Sequence, residues 1–194
     1  MVALDGCNGC IFGQKPGTID QEMQLPDSFL STIHNVFKED GERFLTVLPA
    51  LIDEVSQCWG LTDVQPVSNL SYNFVAFANR REENVILKMG VPNRELTSEM
   101  AALSLFNGDG ACRLLEHDEA RGLLLLERLS PGTMLSELED DDESTHIAAD
   151  VMIKLWRDVN LESDGHMPRS GMPSMQEQAP ALHRFIQLSD WLTG

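Results

Sequence analysis

The stretch from residue 64 to residue 129 constrains this chain most, because it holds five short β-prone runs and a single helical pattern. In "VQPVSNLSYNFVAFAN", residues 64–79, two runs flank a small polar turn, and "RREEN" joins them tightly to "VILKMG". Pro92-Asn93 opens a helix that runs to about Phe106, where "NGDG" stops it. "CRLLEHDEARGLLLLERL" then reads as two further strands around a turn at Asp118 to Gly122. The order is βββαββ, an α+β arrangement with one helix between the third and fourth strands.

Helical patterns lie on either side. From Asp27 the residues Phe29, Ile33, Val36 and Phe37 recur at helical spacing, and Asp40-Gly41 is expected to close that element. A second helix should carry Phe44, Leu48, Leu51, Ile52, Val55 and Trp59 on one stripe, with Pro49 as a point of kinking and Gly60 just past the end. Beyond the sheet, "SPGTMLSELEDDDEST" reads as a hinge-like turn, a short helix and an acidic run that serves the next helix start through its dipole. Ile147, Val151, Met152, Leu155, Trp156 and Val159 define that next helix as amphipathic. The expected organisation is a flexible leader at 1–25, a unit at 26–129, and a hinge with helices at 130–194.

Composition removes several function classes. A formal net charge of −17 sets a repulsive field against nucleic acid phosphates and anionic membranes, and suits a cationic small molecule better. No run approaches a membrane span, and the N-terminus lacks the form of a secretory signal, so a cytoplasmic location is expected. Cys7 and Cys10 form a lone CxxC in a glycine-rich leader, which favours flexible chain over a thiol switch.

The candidate chemistry rests on two charges in apolar surroundings. Lys88 ends the run Val85-Ile86-Leu87, and the pleat puts Ile86 and Lys88 on one face of their strand. Such a face can stack on an adenine through Ile86 and reach phosphate oxygens through Lys88. On the following helix Glu99 shares a stripe with Leu96, Met100 and Leu103, and a buried carboxylate needs a cation; Lys88 is the first candidate. Ser68, Asn69, Ser71 and Asn73, in the turn between strands one and two, can cap phosphates with small polar groups and backbone N–H. After the fifth strand, backbone groups of Glu127 and Leu129 stand where a purine edge can pair.

The series "LKMGVPNRELTSE…LFNGDGACRLLE…LLLERL" resembles the aminoglycoside 6-phosphotransferase and hydroxyurea-resistance kinase family, over about Trp59 to Trp191. The resemblance implies a protein-kinase-like N-terminal lobe, a five-stranded antiparallel sheet with one inserted helix, followed by the first helices of a helical C-terminal lobe. It further implies ATP as cofactor, with Lys88 on the α- and β-phosphates, Glu99 orienting Lys88, and the Glu127 to Leu129 backbone as the adenine hinge. The partners implied are a nucleotide and a cationic antibiotic of the streptomycin type, with Mg²⁺ expected only in a full-length protein.

Such kinases also use a catalytic-loop Asp and Asn and a further metal-binding Asp. None of the five histidines, at 34, 117, 146, 166 and 183, opens a His-Gly-Asp, so the chain is expected to stop before its catalytic loop and to be inactive alone. The alternative expectation is a non-catalytic nucleotide-binding or interaction remnant of such a kinase.

Overall fold

The computed structural model describes residues 25–156. The expectations placed on Cys7, Cys10 and Val159, and on the helices after residue 156, lie outside those residues.

Helix α1 spans Asp27–Trp59 and is broken, but not at Asp40-Gly41. Lys38 leaves helical dihedrals, with φ 54° and ψ −126°, and helix resumes directly after it. Gly41 sits inside the second segment and does a different job from the expected stop. A Cβ there would lie 2.5 Å from the Ile33 carbonyl oxygen, so glycine lets the two segments approach backbone to backbone. His34 Nδ1 and Glu42 Oε1, 3.1 Å apart, link the same two segments. Pro49 causes no second departure from helical dihedrals. Gly60 ends the helix in the left-handed region, its N–H donating to the Ser56 carbonyl.

Five strands follow: β1 at Leu61–Pro66, β2 at Phe74–Arg80, β3 at Glu83–Met89, β4 at Leu114–Asp118 and β5 at Leu123–Glu127. β1 begins earlier than its β-prone run because Leu61, beside Arg80 in the β2 register, adds to the core. The sheet order is β1-β2-β3-β5-β4, with every pair of neighbours antiparallel. The fold is α+β, and its antiparallel sheet with one inserted helix is that of a kinase-like N-terminal lobe.

The sheet centre is buried on both faces. Val85 to Met89 on β3 and Leu123 to Leu126 on β5 are buried without alternation, which explains why those runs read as continuously apolar. Register then assigns the faces, since cross-strand partners point the same way. Ile86 and Lys88 share a face with Phe77 and Val75 on β2 and with Leu126 and Leu124 on β5. Val85 and Leu87 share the other face with Ala78, Ala76, Glu127 and Leu125.

Helix α2 spans Arg94–Phe106 and starts where Asn93 caps it, Asn93 Oδ1 accepting from the Leu96 N–H at 3.0 Å. Leu96, Met100 and Leu103 are its buried stripe. A short 3₁₀ turn, Leu135–Glu137, precedes α3 at Asp141–Leu155. Asp140 caps α3 by accepting from the N–H groups of Asp142 and Glu143, so the acidic run does serve the helix start. The expected packed stripe of α3 is not buried among the described residues: Ile147 is 39% exposed and Trp156 66%. Periodicity marks the face that can be buried, while burial needs a neighbour, and α3 meets the loop after α2 at Gly110, beside Lys154 and Leu155.

Candidate nucleotide site

Lys88 is only 2% exposed, among Val75 and Leu124 on the flanking strands, and an ammonium there requires a counter-charge. α2 brings it. Lys88 Nζ donates to both carboxylate oxygens of Glu99 at 2.7 Å, with the two side chains 3% and 12% exposed. The Asn93 cap fixes where α2 begins, and about one and a half turns of helix carry Glu99 over the strand end. The predicted pair is therefore made.

The turn between β1 and β2 comes to the same end of the sheet. Phe74, where β2 starts, pairs with Met89, one residue past Lys88. Asn73 is lodged against Gly90, leaving no room there for a Cβ. Gly90 in turn donates its N–H to the Gly122 carbonyl at 2.9 Å, and Gly122, at φ +69°, also has no room for a Cβ against the Gly90 carbonyl. Two turns thus close around the end of β3. Of the predicted turn residues, Ser68 and Asn69 are exposed and Ser71 and Asn73 half-buried.

The linker after β5 lies at the opposite end. Glu127 is level with Val85, three residues from Lys88, or about 10 Å at the rise of a strand. Ile86, 1% exposed, lies between those levels on the Lys88 face. Leu129 is 45% exposed. The Glu127 N–H donates to the Arg113 carbonyl at 2.9 Å, and its carboxylate accepts from Arg113 N–H and Nε–H at 3.1 and 3.2 Å. Glu127 is therefore a rigid post whose own N–H is engaged.

Three residues near these groups were not singled out by the sequence reading. Cys112 is buried beside the site; burial, then the carboxylates of Glu99 and Glu127, push its thiol up from 9.0 to about 11. Phe77 and Arg128 form a pair, the guanidinium carbon 4.0 Å from the ring centre. Phe77 was legible, since the two-residue turn after Arg80 places it opposite Ile86. Arg128 carried no such signal.

Elsewhere the charges are structural. On the face opposite Lys88, Arg121 binds Asp118 and, on α1, Glu54. Burial opposes its charge, but these hydrogen bonds prevail and hold the guanidinium above its ordinary range. Arg80 and Glu116 pair across the sheet at 2.8 Å. Among the described residues no group of three His, Cys, Asp or Glu side chains is placed to hold a metal ion, and no helix is long and apolar enough to cross a membrane.

Comparison with known proteins places this geometry in a family. Residues 59–183 match the family model described as aminoglycoside/hydroxyurea antibiotic resistance kinase. The chain is 29% identical to a streptomycin 6-kinase of Streptomyces glaucescens and 31% identical to one of Streptomyces griseus, each over 134 residues. Those alignments cover 69% of this chain and 44% of each relative. It is 37% identical to a hydroxyurea phosphotransferase of Kitasatospora aureofaciens over 103 residues, 53% of this chain and 30% of that protein. The chain thus spans less than half the length of the curated relatives it matches, and no solved structure matches it. With a family match over more than half its residues and a buried Lys–Glu pair in a kinase-like sheet, the chain belongs to the aminoglycoside/hydroxyurea antibiotic resistance kinases.

Proposed function

We propose that this chain is the nucleotide-binding part of an ATP-dependent phosphotransferase that modifies a hydroxyl of an aminoglycoside. The observation that carries the reading is the buried Lys88–Glu99 pair. An ammonium has three donors, so Lys88 can stay bound to both Glu99 oxygens and still direct a proton at a phosphate oxygen. Glu99 holds the ammonium in one place, which lowers the reorganisation needed when phosphate arrives.

ATP supplies the transferable phosphoryl group. This chain's residues do the holding. Lys88 offsets charge on the α- and β-phosphates, and the turn of Ser68, Asn69, Ser71 and Asn73 covers them with small polar groups. Ile86 forms an apolar floor for the base. Because the Glu127 N–H is engaged by Arg113, pairing with the purine edge falls to the Glu127 carbonyl and the Leu129 backbone. Among the described residues no group of three or more His, Cys, Asp or Glu side chains is placed to hold Mg²⁺. The net charge of −17 suits a polycationic acceptor of the streptomycin kind, and a cytoplasmic location would supply the ATP.

Calorimetric titration with a non-hydrolysable ATP analogue tests the reading. Saturable binding by the 194-residue chain is expected, weakened at least about tenfold by Lys88→Ala, the loss of one charge-assisted contact of roughly 1.5–3 kcal/mol. Equal affinity in the two proteins would overturn the phosphate contact.

A further inference from the structure

On the reading of the Lys88 face as a nucleotide site, we infer that Arg128 holds the base by stacking, with Phe77 fixing the guanidinium from behind. Alternation along β5 continues through Leu126, which is level with Ile86, so Arg128 leaves the linker on the Ile86 and Lys88 face. Phe77 is the direct β2 partner of Ile86 and shares that face. The 4.0 Å approach of Cζ to the Phe77 ring centre therefore lies at the base end of the site, next to the linker that faces the purine edge.

The way Arg128 is held distinguishes it from the other arginines around the sheet. Arg80, Arg113 and Arg121 are each committed to a carboxylate. Arg128 rests instead on an aromatic face, with its side chain exposed. A guanidinium is a flat cation with two faces, weakly hydrated and suited to stacking on both. Phe77 takes one face. The other is left for a second planar π-system, and a purine entering between Ile86 and the linker supplies one. The ligand class is a nucleoside triphosphate recognised through its ring.

The test separates base from phosphate. Wild type, Arg128→Ala, Arg128→Lys and Phe77→Leu chains are titrated with adenosine, with the ATP analogue and with inorganic tripolyphosphate. Arg128→Ala is expected to weaken adenosine and the ATP analogue alike, about threefold to thirtyfold, the range of a cation–π contact. Tripolyphosphate affinity should stay at the wild-type value in the same protein, which also reports an intact fold. Arg128→Lys should not restore base binding, since it keeps the charge and loses the plane. Phe77→Leu should weaken base binding in the same direction. Unchanged adenosine affinity in Arg128→Ala overturns the inference and leaves the nucleotide reading standing, as does a loss shared equally with tripolyphosphate. Failure of wild type to bind the ATP analogue removes both.

Discussion

At Lys88 and Glu99 the interior cost of charge and the benefit of pairing are both large, which makes single substitutions more damaging than joint ones. Lys88→Met leaves a carboxylate that is 12% exposed without its cation, and Glu99→Leu leaves an ammonium that is 3% exposed without its anion. Each is expected to destabilise the fold by about 3 kcal/mol, whereas Lys88→Met with Glu99→Leu should cost distinctly less than the sum. Denaturant unfolding of the four proteins measures this, and strict additivity would show that the pair does not interact. Cys112 gives a second residue-scale expectation. Its thiol holds the proton more tightly folded than unfolded, so stability is fully present below pH 9.0 and falls as pH rises towards about 11. The loss should be roughly 2 kcal/mol across that window and should vanish in Cys112→Ala, as followed by unfolding at stepped pH. Both members of the ion pair were legible in the sequence, because a charge inside an apolar period announces a need for compensation. Arg128 was not legible, because a cation on a linker looks the same whether it faces water or a ring.

Among the elements, glycines decide how segments meet. Gly122 lies at φ +69° with the Gly90 carbonyl where its Cβ would be, so Gly122→Ala combines left-handed strain with a backbone collision. A loss of about 2 kcal/mol or more is expected in thermal or denaturant unfolding, and a change below 0.5 kcal/mol, roughly the scatter of neutral surface substitutions, would contradict the close approach. The same damage should carry to the proposed nucleotide site through Gly90 and Asn73. Helix and strand order was legible from period and turn residues, since both are local properties. The break in α1 was misplaced because glycine has two uses, as a stop with positive φ and as a surface for close contact. Gly41 takes the second, and the break falls at Lys38. A sequence pattern does not separate the two when the contact partner, Ile33, lies in another helical segment.

Across the molecule, the sheet register sets three features along β3: a turn at its end, a lysine just inside it, and a linker about 10 Å away. The Lys88 face was legible in outline, because a two-residue turn and strict pleating fix register over several residues. The covering of both sheet faces was not, because it depends on how α1 folds back and on where α2 lands. The claim that this face receives ATP with its phosphates at Lys88 can be put to a chemical test. An ATP derivative bearing an acyl group on its terminal phosphate acylates the nearest lysine amine and departs as the nucleotide, and the sequence holds only four lysines, Lys15, Lys38, Lys88 and Lys154. Peptide mass spectrometry of the treated chain is expected to find the acyl group on Lys88, with labelling suppressed by excess ATP. Labelling confined to Lys15, Lys38 or Lys154, or labelling of Lys88 that ATP does not suppress, would contradict it.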